Sequence, residues 1–292
     1  MAGRPNVGKS TLINRLLGQK IAAVSPKPQT TRLVQLGILT TEDAQVIFMD
    51  TPGMHEPQHK LGTGMNALAS DALEEADVIL WLVDASQLPH AEDGLIARRI
   101  SGLPGSTPAI QGLNKVDLLP AGQLGERAAA YQQLLPRAEQ LPFSALAGSN
   151  LDALMVRIIA LLPESPPQFP PDQVTDLYER DIAADLIREA ALDLLHDEVP
   201  HALAVRMDEY TERGEQGAYI AATLFVERES QKGIVIGKGG EMLKAIGTAA
   251  RRAIEAMSGR KVFLELRVKV NKNWRSNPAV LSQMGFPEPG EG

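Results

Sequence analysis

Short apolar runs of strand length alternate along the first half of the chain with longer stretches of helical periodicity. VIFMD, VILWLVD, PAIQGLN and LPFSA are the strand-like runs, and KSTLINRLLG and GSNLDALMVRIIALL are the helix-like ones. That rhythm belongs to βα units around a parallel sheet. Between Leu161 and Asp176 the pattern breaks: LLPESPPQFPPDQVTD carries five prolines, which exclude a continuous helix or central strand and favour an extended linker. Downstream, a helix capped near Thr175 places Ile182, Leu186, Ala190 and Leu194 at i, i+4 spacing. Two strand-like runs follow, HALAVRM and GAYIAATLFVER, then IVIGKGG, a second amphipathic helix and the strand KVFLELRVKV. The expected order there is α, β, β, α, α, β. The chain therefore reads as an α/β domain over residues 1–163, doubly wound around a mainly parallel sheet, a proline-rich linker over 164–175, and a smaller α+β domain over 176–292.

Length and composition agree with two folded cores: the chain has 292 residues, 44% of them apolar and 22% charged, which excludes collagen-like, disordered and coiled-coil classes. The longest unbroken apolar stretch, Val78 to Val83, is far short of the ~20 residues of a bilayer span. Arg4, Asn6, Lys9 and Arg15 interrupt every apolar run near the start, so no secretory signal is expected and the cytoplasm is the expected location. Zero cysteines exclude disulfides, thiolate nucleophiles and cysteine-bound metals, and five scattered histidines argue against a metal cage. The net charge of −7 argues against coating by nucleic acid through bulk charge, yet it is unevenly spread. From Gln231 to Arg275 eleven basic residues face three acidic ones, a local excess of eight positive charges.

Four motifs in the first half carry phosphate and purine chemistry. GRPNVGKS, Gly3 to Ser10, fits a phosphate-binding loop whose backbone N–H groups turn around a β-phosphate while Lys9 bridges β and γ oxygens and Ser10 holds Mg²⁺. In DTPG the Asp50 carboxylate can take a water of the Mg²⁺ shell and the Gly53 N–H can meet the γ-phosphate. In NKVD, Asn114, Lys115 and Asp117 form a base selector, since a fixed carboxylate accepts both the N1–H and the 2-amino group of guanine, and adenine offers neither. Ser144 and Ala145 would present a backbone N–H to guanine O6. Each motif lies at the carboxyl end of an expected strand, the edge at which open α/β sheets bind ligands. In the second half Gly237, Lys238, Gly239 and Gly240 form a GxxG turn between helices, where a backbone without side chains allows close approach of a sugar–phosphate chain.

GRPNVGKS, QTTR, DTPG and NKVD resemble the TRAFAC translation-factor-related GTPases, and QTTR with the downstream half resembles the bacterial Era family. The α-β-β-α-α-β order, the apolar IVI and the basic segment around GKGG resemble a type II K homology domain. The resemblance implies nucleotide contacts from Gly3, Arg4, Pro5, Asn6, Val7, Gly8, Lys9, Ser10 and Thr11. It extends them to Asp50, Thr51, Pro52, Gly53 and Met54, to Asn114, Lys115, Val116 and Asp117, and to Ser144 and Ala145. Lys9, Thr31 and Gly53 take catalytic roles, with Thr31 as the switch threonine closing on Mg²⁺ beside Ser10 and Asp50. RNA contacts fall to Lys232, Gly237, Lys238, Gly239, Gly240 and Lys244. Met54 stands where Ras-like enzymes orient water with a glutamine; the family resemblance includes a hydrophobic residue here and implies K⁺ near the phosphates, held in part by Asn6, and slow turnover.

The implied function is binding and hydrolysis of GTP to GDP, timing release of the 3′ end of small-subunit ribosomal RNA in assembly of the 30S subunit. The implied protein is a monomer with peripheral attachment to the inner face of the cell membrane. A rival reading is a nucleotide-sensing RNA-binding adaptor with negligible hydrolysis; a P-loop kinase is disfavoured because NKVD selects guanine and serves no acceptor. Only Met1 and Ala2 precede Gly3, where the Era family has a hydrophobic strand, so a natural start upstream of Met1 is expected.

Overall fold

The computed structural model describes residues 1–27, 30–57, 59–214, 217–284 and 286. The chain divides into two compact units, residues 1–19, 31–58 and 65–176 in the first and residues 20–30, 59–64 and 177–292 in the second.

In the first unit the phosphate loop leads into α1 (Lys9–Leu17), followed by β1 (Gln35–Thr40), β2 (Gln45–Asp50), α2 (Lys60–Glu74), β3 (Ile79–Asp84), α3 (Ala91–Ser101), β4 (Ala109–Asn114), α4 (Leu124–Gln132), β5 (Glu139–Pro142) and α5 (Leu151–Ile159). Strands β3, β4 and β5 are parallel in that order, and β1 and β2 form an antiparallel hairpin. Every residue of β3 and β4 is buried, as expected of parallel strands covered on both faces. Ile79, Trp81 and Val83 of β3 pack with Ala69 and Leu73 of α2, with Ile96, Ala97 and Ile100 of α3 and with Tyr131 of α4. Ala2 pairs with β3 in parallel fashion: its N–H donates to the Leu80 carbonyl at 2.9 Å and its own carbonyl accepts from Leu82 at 2.8 Å. The expected slot before Gly3 is thus filled at one position by Ala2, while the Met1 amine donates to the Met49 carbonyl of β2.

The second unit follows the expected order as α6 (Glu179–Leu194), β6 (Ala204–Glu212), β7 (Ala218–Val226), α7 (Glu229–Ile236), α8 (Glu241–Ser258) and β8 (Val262–Val270), with α9 (Pro278–Gln283) after it. β6 and β7 are antiparallel, β7 and β8 parallel, and the parallel pair is made possible by the α7–α8 crossover. Its core joins Ile182, Leu186 and Ile187 of α6 and Ile246, Ala250 and Ile254 of α8 to Ile220, Ala222 and Leu224 of β7.

Three expectations need correction. The hairpin strand β1 was absent from the sequence pattern. Helix α6 starts at Glu179 rather than near Thr175, because Thr175 and Asp176 still belong to the extended segment of the first unit. Residues 20–30 and 59–64, expected in the first domain, group with the second unit. The reason for the former is a row of acceptors on α6 and at its end: Lys20 Nζ meets Glu189 at 2.6 Å, Ser25 Oγ donates to Asp193 at 2.7 Å, and Lys27 Nζ donates to the Leu192 and Leu195 carbonyls.

Candidate functional site

The phosphate loop is shaped by contacts that leave no room for side chains. Gly8 lies at φ 100, and a Cβ there would stand 2.3 Å from Asn114 Nδ2. Asn6 turns the same loop at φ 64 and is exposed. Lys9 folds back over it, donating from Nζ to the carbonyls of Gly3 and Arg4 at 3.1 Å each. Burial lowers the pKa of this ammonium to about 8, against the opposing pull of Asp50. A desolvated cation in a glycine-rich loop at a helix start is a receptor for an anion.

Ser10 of α1, Thr31 before β1 and Asp50 at the end of β2 meet beside it. Ser10 Oγ donates to Asp50 Oδ2 at 2.7 Å and lies 3.0 Å from Thr31 Oγ1, which itself donates to Asp50 Oδ2 at 3.4 Å. Asp50 is 1% exposed, and its Oδ1 has no hydrogen-bond partner among the described residues. Burial raises the pKa of its carboxyl, with Lys9, Ser10 and Thr31 pulling the other way. Two hydroxyls and a carboxylate with an unused buried oxygen form the hard-oxygen donor set that Mg²⁺ takes, so the expected metal residues fit that ion. Gly53 closes the cluster: a Cβ on it would stand 2.5 Å from the Pro5 nitrogen. Its backbone therefore packs directly against the phosphate loop at Pro5.

On the base side Asn114 is a strut. Its Nδ2 donates to the Val7 carbonyl at 2.8 Å and its Oδ1 accepts the Ala145 N–H at 2.9 Å, tying together phosphate loop, β4 and the loop after β5. Lys115 has φ 66, and its Nζ meets Asp84 Oδ2 at 2.7 Å. Asp117 follows in a short 3₁₀ turn, exposed at the surface.

Several expected nucleotide contacts are engaged elsewhere. Arg4 turns its guanidinium to buried Asp93 of α3 at 2.9 Å. The Thr51 hydroxyl is buried and donates to the Met1 carbonyl at 2.6 Å. Met54 lies in the apolar core with Trp81, and Val116 packs against the same cluster. The Ser144 N–H donates to the Ser149 carbonyl and the Ala145 N–H to Asn114, so neither is offered to guanine O6 in this structure. The polar groups among these are buried or half-buried and find their partners inside the fold. Thr11 lies in the first turn of α1, Pro5 and Val7 belong to the phosphate loop, and Pro52 is buried next to Gly53. Of QTTR, Gln29 lies outside the described residues.

In the second unit Gly237 has φ 74, and a Cβ on it would clash at 2.8 Å with Met242. Gly239 and Gly240 have φ of 62 and 84, and a Cβ on either would meet nothing within 4 Å. Lys238 and Lys244 are exposed and Lys232 is half-buried. Beside the turn lies a groove of about 390 Å³ lined by Gly240, Leu243, Lys244, Gly247, Thr248 and Arg251, with Leu264 and Leu266 of β8 as its apolar floor. Apart from Gly240 and Lys244, these residues were not anticipated, although their i, i+4 recurrence along α8 is visible in the sequence. The basic excess is also redistributed: Arg251, Arg260, Arg267 and Arg275 pair with Glu255, with Glu179 and Glu212, with Glu265 and with Glu227. Three of those carboxylates lie outside the segment counted from sequence. The lysines near the GxxG turn are not among these ion pairs.

Comparison with known proteins matches residues 1–115 to a family described as 50S ribosome-binding GTPase and residues 198–275 to the KH domain family. Among solved structures the chain is similar to Era in complex with MgGDPNP and nucleotides 1506–1542 of 16S ribosomal RNA, at 42% identity and a TM-score of 0.92 over 97% of this chain and 96% of that one. It is also similar to a point variant of Aquifex aeolicus Era bound to GDP and tetrafluoroaluminate, at 42% identity and a TM-score of 0.91 over the same shares.

Proposed function

This chain belongs to the Era family of GTPases, and from that premise we propose that it couples GTP hydrolysis to binding of the 3′ end of small-subunit ribosomal RNA, timing release of that RNA in subunit assembly. The observation that carries the reading is the similarity, over 97% of the chain, to Era holding both MgGDPNP and 16S ribosomal RNA. The chain's own residues support it with buried Lys9 beside the Ser10, Thr31 and Asp50 cluster in one unit and a GxxG turn beside a groove in the other.

In this reading Lys9 neutralises β and γ oxygens, the Gly53 N–H donates to the γ-phosphate, and Asp117 selects guanine. Ser10, Thr31 and Asp50 would hold Mg²⁺ between them. When bound, the ion neutralises charge developing on the transferred phosphoryl group. The Met54 side chain lies in the core and has no polar group with which to orient water. Asn6 at its exposed turn would help to hold K⁺ as a substitute source of charge. Lys232, Lys238 and Lys244 meet RNA phosphates, and the groove floor receives unstacked bases. Action on the 30S subunit as a cytoplasmic monomer, with peripheral contact at the membrane, follows from the family resemblance alone.

Two measurements on the full chain test this. Single-turnover cleavage of GTP should require Mg²⁺, and the 3′-terminal segment of 16S ribosomal RNA should bind more tightly with GDPNP than with GDP. Absence of cleavage, or equal affinity for that segment and for an unrelated single strand, would overturn it.

A further inference from the structure

Lys115 is a half-buried, non-glycine residue in the left-handed region, at φ 66 and ψ 33, inside the loop that must aim Asp117 at the base. A backbone of this kind persists only where its surroundings over-determine it. Here the surroundings are concentrated on Asp84, the last residue of β3, which no motif includes. Asp84 Oδ2 accepts from Lys115 Nζ at 2.7 Å, while Oδ1 accepts the Ser86 hydroxyl at 2.6 Å and the Ser86 N–H at 3.1 Å. Its backbone carbonyl accepts the hydroxyl of fully buried Tyr131 at 3.1 Å. The next residue, Ala85, donates its N–H to the Asn114 carbonyl at 2.8 Å, locking the ends of β3 and β4 in register. Burial raises the pKa of the Asp84 carboxyl, but the bonds from Lys115 and Ser86 outweigh it and leave it below the ordinary value, so the ionised form faces Lys115.

We infer that Asp84 is a positioning residue of the guanine site, an ionic post that fixes the Lys115 side chain and through it the backbone leading to Asp117. The inference rests on the guanine-nucleotide reading above. It differs from a plain stability role, because one carboxylate oxygen is held by Ser86 and the other bonds the base loop through Lys115.

The test is a titration of the full-length protein with fluorescent GDP, well below its melting temperature. Losing one charge-assisted bond in Asp84→Asn should raise the Kd about tenfold or more, with kcat at saturating GTP within about twofold of the parent. Asp84→Glu, which keeps the charge, should restore affinity to within about threefold of the parent. Combined with Lys115→Met, Asp84→Asn should add little further loss, since both changes break one interaction. Ser86→Ala removes only the hydroxyl that steadies the other oxygen; it should raise the Kd about two- to fivefold and decides the matter if Asp84→Asn does not fold. Parent-like affinity in Asp84→Asn or in Ser86→Ala, or losses that multiply in the double variant, would overturn the inference. A parent protein without affinity for GDP would instead overturn the nucleotide reading.

Discussion

Glycines appear at both sites for opposite reasons. In the phosphate loop and its neighbour the reason lies inside the protein: a Cβ on Gly53 would meet the Pro5 backbone at 2.5 Å, and one on Gly8 would meet Asn114 at 2.3 Å. At the GxxG turn Gly239 and Gly240 point a missing side chain into open space, and only their positive φ and the approach of a ligand call for glycine. The first site is a solid whose parts define one another, and a phosphate completes it. The second is a bare surface whose shape is read from outside, and function and stability are separable there in a way they are not at the first.

The largest effect sharpens this contrast at an exposed part of the first site, Asp117. Asp117→Asn removes an ionic acceptor of two guanine bonds at ~1.5–3 kcal/mol each. GTP affinity should fall more than about a hundredfold while xanthosine triphosphate becomes the better ligand; unchanged GTP affinity removes the base-selector role. Next, one chemical change is made at both sites. Gly53→Ala should cost about 3 kcal/mol in thermal unfolding, as an overpacked contact does, and abolish tight GTP binding. Gly239→Ala should cost only about 1 kcal/mol, for its backbone angle. Gly239→Asp should leave GTP affinity intact and weaken RNA binding at least about tenfold, since it sets negative charge where a phosphate must pass. Equal melting losses in Gly53→Ala and Gly239→Ala would erase the distinction drawn here.

A smaller effect follows from Lys9. Its pKa of about 8 reflects burial without an anion, and a bound phosphate raises it. Nucleotide binding therefore takes up a proton above pH 8, and affinity, full below that value, declines as pH rises through it. The Kd for GDP should increase about tenfold from pH 7 to pH 9; a flat profile would mean that the phosphate does not reach this ammonium. The smallest expected change is a few-fold faster GTP turnover in K⁺ than in Na⁺ at equal ionic strength. Asn6→Ala should lose most of that response, and equal rates in the two salts would assign the charge to another source.

What the sequence made legible was local. A phosphate loop encodes its own bend in Gly3, Asn6 and Gly8, and the second unit announces its order through runs of apolar residues. The roles of Arg4 and Thr51 were hidden because their partners, Asp93 and the Met1 carbonyl, are decided by packing across the sheet. Strand β1 was hidden because Gly37 interrupts a mixed pattern that gains strand character only from pairing with β2. The attachment of residues 20–27 depends on Glu189 and Asp193, 169 and 168 residues away from Lys20 and Ser25, and no window of sequence contains both. The groove required α8 and β8 to come together, which brings Leu243 and Leu264 to one lining in the folded unit.

The proline-rich segment has a consequence beyond spacing. Among the described residues β1 pairs as a strand with β2 alone, so its outer edge would present unsatisfied amides to any passing strand. Instead the Ile38 N–H donates to the Val174 carbonyl at 2.8 Å, the Leu36 N–H to Asp176 at 3.1 Å, and Gln45 clasps the Gln168 and Phe169 backbones. A proline has no backbone N–H with which to recruit a further strand, so this segment works as a selvedge, sealing a raw border against fraying into aggregates. A fragment cut at Pro163 would expose that border and precipitate, whereas one carried through Asp176 would stay dispersed.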